Sequence, residues 1–99
     1  MKQHRYRITV EHLADQNGAP STHSAPLQFE TGNHDDIFAV VERIQGRGDL
    51  PTESATAFAV GLKLLGEVML ENRQHPLFAG FLPQFGQFMK QLKSGSRTA

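Results

Sequence analysis

Cysteine and tryptophan are both absent from this chain of 99 residues. Without cysteine there is no disulfide framework, no thiolate nucleophile and no cysteine-bound zinc. An excess of charge of one sign is missing too: ten lysines and arginines balance ten aspartates and glutamates. A neutral chain has no overall field to gather nucleic acid or an anionic membrane, so neither is expected as a partner. Neutrality also favours self-association. No run reaches the ~18 apolar residues of a membrane span, and the opening MKQHRYRITV lacks the apolar core of a signal peptide. The expected compartment is therefore the cytoplasm. Internal repeats are absent. So are a Ser-His-Asp set, a glycine-rich phosphate loop, an HExxH pair and paired carboxylates. The expectation is no catalytic residue, no metal site and no cofactor.

What is present is the composition of a folded chain, 38% hydrophobic and 20% charged, which separates it from disordered sequences. Its length suits one domain, assigned to residues 1–93, with 94–99 (SGSRTA) read as a disordered tail. A domain this small buries roughly 60–70% of its unfolded surface, so its core is thin.

Residues 55–70 (ATAFAVGLKLLGEVML) carry the most information. At helical spacing they are apolar on two sides. Ala55, Phe58, Leu62, Leu65 and Met69 form one stripe; Ala57, Val60, Gly61, Leu64 and Val68 form a second. Thr56, Lys63, Glu67 and Glu71 are left as a narrow wet edge. A helix with two apolar stripes is sandwiched between layers, and in a short chain the second layer has to come from another molecule. Gly61 and Gly66 weaken such a helix, which predicts close helix–helix approach at those points.

Before this helix, residues 5–12 alternate, with Tyr6, Ile8 and Val10 on one face and Arg5, Arg7, Thr9 and Glu11 on the other. That is the pattern of a half-buried strand, and residues 27–30 make a shorter second one. Asn17-Gly18 between them is a strong hairpin signal. Taken as a two-residue turn, it sets Tyr6 opposite Phe29, Ile8 opposite Leu27, Val10 opposite Ala25, and Arg5 opposite Glu30. Pro20 and Pro26 argue against a continuous second strand. Asn33 is the expected cap of a first helix, with Asp35 and Asp36 in its first turn. Ile37, Val40, Val41 and Ile44 line its buried face, and Gly46 and Gly48 end it. The long helix should run from near Pro51 to about Arg73 and stop before His75-Pro76. A short turn at 77–82 precedes a last helix that starts at Pro83 and buries Phe85, Phe88, Met89 and Leu92. The order is β-β-α-α-α: an α+β fold with an N-terminal antiparallel hairpin packed on three helices, the middle one long and central. The unpaired edge of the first strand is one route to a homodimer, and the helices are another.

Candidate chemistry is sparse. In the expected register His12 faces His23, a pair able to share a metal ion or respond to pH, but no further ligand lies near in sequence. His34-Asp35-Asp36 does not converge on one ion, because consecutive helical residues point about 100° apart. Arg47-Gly48-Asp49 matches the tripeptide that integrins read, although its glycine is equally a helix stop. Phe78, Phe81, Phe85 and Phe88 crowd into eleven residues; any left outside the core would make a sticky partner surface. A pocket between hairpin and helices would instead present Tyr6, Arg7, His12, His23 or His34 to a small ligand.

Taken together, HRYRITVEHL, FETGNHDDIFAVVERI, AFAVGLKLLGEVMLENRQHPLF and PQFGQFMKQLK resemble a family of short bacterial proteins known only as a domain of unknown function. The resemblance covers nearly the whole chain apart from residues 14–25 and the tail. It implies a bacterial cytoplasmic protein made of one stand-alone domain, and it brings no activity, ligand or catalytic residue. The expected function is a small homodimeric protein-interaction or regulatory module, and not an enzyme. The alternative is a small-ligand-binding protein or minor enzyme.

Overall fold

A computed structural model describes residues 2–95. The chain runs through β1 (His4–Val10), β2 (Leu27–Asn33), α1 (Ile37–Gln45), α2 (Thr52–Glu71), α3 (Pro76–Ala79) and α4 (Leu82–Gly95). This is the expected α+β hairpin followed by helices, with one added turn of helix at α3 where a plain turn was expected.

The strands pair antiparallel, but two residues away from the expected register. Tyr6 faces Thr31, Ile8 faces Phe29, Val10 faces Leu27, and Arg7 faces Glu30. The reason lies in the loop. Asn17-Gly18 is not a two-residue turn; Ala14 bridges Pro20, and residues 15–19 lie between them. The Asp15 carboxylate accepts the N–H groups of Asn17 and Ala19, both at 2.9 Å, and Gly18 takes the positive φ of 88°. Beyond that bridge the second limb carries more residues than the first, and Pro20 and Pro26 cannot extend the ladder. The slip is even, so every side chain keeps its expected face. Glu30 then bonds Arg7 at 2.9 Å and reaches Arg5 at 3.8 Å.

The cap of α1 is Asp36 and not Asn33. The Asp36 carboxylate accepts the Phe38 N–H at 3.0 Å, which leaves Asp35 outside the helix. The hairpin itself holds the start of α1: the Tyr6 hydroxyl accepts the Ile37 N–H at 2.9 Å and donates to the Asp35 carbonyl at 3.3 Å. α1 stops at Gly46, as expected, and Gly48 turns the chain with φ 80°. α2 ends at Asn72, ahead of His75-Pro76. His75 instead caps α3, its Nδ1 accepting the Leu77 N–H at 3.1 Å with Pro76 at the first helical position. α4 includes Ser94 and Gly95, where a tail was expected; the rest of that tail, 96–99, lies outside the described residues.

The core is small. Ile44 packs with Ala55 and Ala59, and Val40, Val41, Phe58 and Leu92 close around them. Ile37, Leu62 and Met69 are the other buried hydrophobics. The first stripe of α2 is thus largely internal, although Leu65 is exposed. The second stripe faces out at Ala57, Gly61 and Val68. The wet edge is corrected: Glu67 is buried and Lys63 half-buried, because the loop joining β2 to α1 lies over them. The glycines divide as well. A side chain at Gly66 would meet the Phe85 ring at 3.6 Å, whereas Gly61 has nothing within 4 Å. Within one protomer the expected close approach therefore fails at Gly61.

Candidate functional site

The polar groups of the chain converge where the end of β2 crosses α2. Asn33, completely buried, donates to the Lys63 carbonyl at 2.9 Å and accepts the Asp35 N–H at 3.0 Å. Glu67 is only 6% exposed. Its carboxylate accepts from the Gln3 amide at 2.8 Å and meets His34 Nδ1 at 2.7 Å. Lys63 donates to Asp35 at 2.5 Å. That hydrogen bond holds the Asp35 carboxyl below the usual carboxylate range, against partial burial; the charges of Lys63, His34 and Arg43 act in the same direction. Among the described residues no buried side-chain polar atom lacks a partner. Each group is thus held by another, and the junction acts as a staple joining hairpin, loop and long helix. A paired His and Glu has the form of an acid–base couple, but both faces of Glu67 are occupied by protein donors. Among the described residues no group of three or more His, Asp or Glu is placed to hold a metal ion.

The structure separates the sequence candidates. Tyr6 and His34 belong to the junction, and Arg7 pairs with Glu30 on the outer face of the hairpin. His12 and His23 do meet, their ring centres 4.9 Å apart, but they do so in the exposed loop, away from the others. A groove of about 410 Å³ lies between hairpin and helices, as a ligand pocket would. The Tyr6 hydroxyl and Arg7 guanidinium that line it are already engaged. The phenylalanines also divide. Phe78 leans on His75 in α3, with ring centres 5.6 Å apart. Phe85 lies over Gly66, next to Phe81 at 6.0 Å, and Phe88 meets Phe58 edge-on at 6.1 Å.

Phe81 and Phe88 stay 44% exposed and border a groove that runs along α2 beside Ala57, Gly61 and Leu65. Leu65 and Val68 add exposures of 44% and 46%. The strand face is open as well, at Val10, Leu27 and Phe29, and Phe38 beside it is 74% exposed. Sequence reasoning found the aromatic cluster and the second stripe but not the Glu67 junction. The one signal for that junction was a glutamate and a lysine four residues apart on the most apolar helix of the chain. No helix among the described residues is long and apolar enough to cross a membrane.

A family model described as a domain of unknown function with solved structure, DUF3861, matches residues 4–94. The chain belongs to this family. It is similar, at 43% identity, to a solved protein of unknown function from Pectobacterium atrosepticum. The match covers 94% of this chain and 99% of that one, with a TM-score of 0.81. Among curated proteins none matches this DUF3861 chain.

Proposed function

We propose that this DUF3861 protein is a small homodimeric interaction or regulatory module of the bacterial cytoplasm that acts by contact and not by catalysis. The carrying observation is the outward apolar face of α2, α4 and the turn leading into α4, formed by Gly61, Leu65, Val68, Phe81 and Phe88. Its occupant in this reading is a second copy of the chain. Gly61 supports that choice: a glycine inside a helix costs up to ~1 kcal/mol against alanine, and no contact within the protomer offsets it. The surface area supports it too. The chain exposes 7694 Å², against about 5,600 Å² for a compact protein of its mass. A standard interface covers ~800 Å² per partner, well within that excess. A chain with no net charge meets no long-range repulsion from its copy.

The test is the molar mass in solution by light scattering, for the natural chain and for Leu65→Glu. The natural chain should run as a dimer at micromolar concentration. The variant should run as a monomer that keeps its helical circular dichroism, because Leu65 is not part of the buried core. A natural chain that stays monomeric throughout this range overturns the reading.

A further inference from the structure

The hairpin loop holds a side-chain cluster that neither the Glu67 junction nor the α2–α4 face uses. Regular pairing of the strands ends at Val10 and Leu27 and resumes once, at the Ala14–Pro20 bridge. Between these points one limb has residues 11–13 and the other has the longer stretch 21–26. The longer limb has no ladder to follow, and Pro26 brings no donor to make one. Ser21 holds it instead. The Ser21 hydroxyl oxygen accepts the His23 N–H at 3.0 Å and lies 2.5 Å from His12 Nδ1. One hydroxyl thus ties both histidines across the unpaired stretch. Their ring centres are 4.9 Å apart, with the planes at 85°.

Three features of this pair suit a metal ion. The first is spacing. Two imidazoles on one tetrahedral zinc, each nitrogen ~2.0–2.1 Å from the metal, place their ring centres about 5 Å apart. The second is the tautomer. A hydroxyl oxygen has two lone pairs, so Ser21 accepts from His12 Nδ1–H as well as from the His23 N–H. His12 then presents a bare Nε2, and a hydrogen bond at the far nitrogen is the common support of a ligating imidazole. The third is access. Both side chains are exposed, and among the described residues neither His12 Nε2 nor the His23 ring makes a hydrogen bond or ion pair. The His23 ring can therefore turn a nitrogen toward the point that His12 Nε2 faces. Asp15, the acid of the loop tip, is engaged by the N–H groups of Asn17 and Ala19. Among the described residues no third His, Asp or Glu is placed to join the pair, so water completes the shell.

We infer that His12 and His23 together bind one divalent cation of the zinc and nickel class, which clamps the two limbs of the loop across their unpaired stretch. Neutral imidazole suits these borderline ions, whereas a hard ion such as Mg²⁺ prefers oxygen. With two protein ligands the site is open and weaker than a closed four-ligand one.

The experiment is calorimetric titration of the untagged full chain with ZnCl₂, NiCl₂ and MgCl₂. It is repeated with His12→Gln, His23→Gln and, as a control for binding by other surface histidines, His4→Gln. The expected result is one saturable site per chain for Zn²⁺ and Ni²⁺ and none for Mg²⁺. His12→Gln and His23→Gln should each weaken Zn²⁺ at least about tenfold, since losing a ligand costs no less than losing its support. His4→Gln should leave the affinity unchanged. All three variants should keep the helical circular dichroism of the natural chain, because none of these histidines belongs to the buried core. An unchanged Zn²⁺ affinity in either His12→Gln or His23→Gln, equal binding of Mg²⁺, or no saturable binding of Zn²⁺ or Ni²⁺ would overturn the inference. None of these outcomes depends on the dimer, whose face contains neither histidine.

Discussion

Glu67 and Asp35 lie in one junction yet respond differently to substitution. Glu67→Ala removes an acceptor that serves His34 and Gln3 together, leaving Gln3 only its 3.3 Å bond to Glu71 and His34 only the Asp35 carboxylate at 3.7 Å. The expected loss is about 1–3 kcal/mol, read from urea denaturation with an unchanged slope. Asp35 is partly exposed, so its effect is best seen as a pH dependence. Its carboxyl is more acidic folded than unfolded, because Lys63 bonds its charged form. The stabilisation is complete above the unfolded carboxylate range, near 3.9, and is lost as pH falls through the lower folded value. Asp35→Asn should therefore lower the melting temperature at neutral pH and flatten its decline below pH ~4. An acid limb identical to that of the natural chain would argue against this assignment.

At the scale of elements, α2 presents two glycines to different surroundings. Gly66→Leu places methyl groups where Phe85 lies, with that ring already 3.6 Å from a Cβ, and should loosen α4 and lower the melting temperature. At Gly61 an added Cβ meets nothing in its own protomer, and the rest of a leucine would reach into the open groove beside Phe85 and Phe88. Gly61→Leu should leave the helical signal intact and weaken the dimer, as light scattering across a dilution series would register. Equal thermal losses in both variants would mean that α4 covers Gly61 after all. The hairpin teaches a related point. Its alternation predicted the faces correctly, since strand side chains have a period of two, but the register came from loop geometry. Asp15 and the two prolines set that geometry together, and Asn17-Gly18 alone does not.

At the scale of the whole molecule, the radius of gyration is 15.9 Å, against about 13 Å for a compact chain of this length. The hairpin and α4 extend from α2 and leave apolar faces open. If a second copy covers the α2–α4 face, folding is linked to association, and the melting temperature should rise with protein concentration. Scanning calorimetry over a hundredfold concentration range reads this directly; a constant melting temperature would show that the protomer is stable alone.

Local chemistry set much of this protein. Period two placed Tyr6, Ile8 and Val10 on one face, and period 3.6 found α1, α2 and α4 and the second stripe of α2. Gly48, which turns the chain with φ 80°, and Pro76 marked breaks through their own backbone geometry. These are properties of neighbouring residues, so they are legible along the chain. Only the tertiary structure decided which edge of α2 turned inward. Lys63 and Glu67 look like solvated charges until Asp35, His34 and Gln3 arrive from far along the chain to satisfy them. A charged side chain can be buried wherever distant partners replace its water, and the positions of those partners are fixed by packing, not by spacing in sequence.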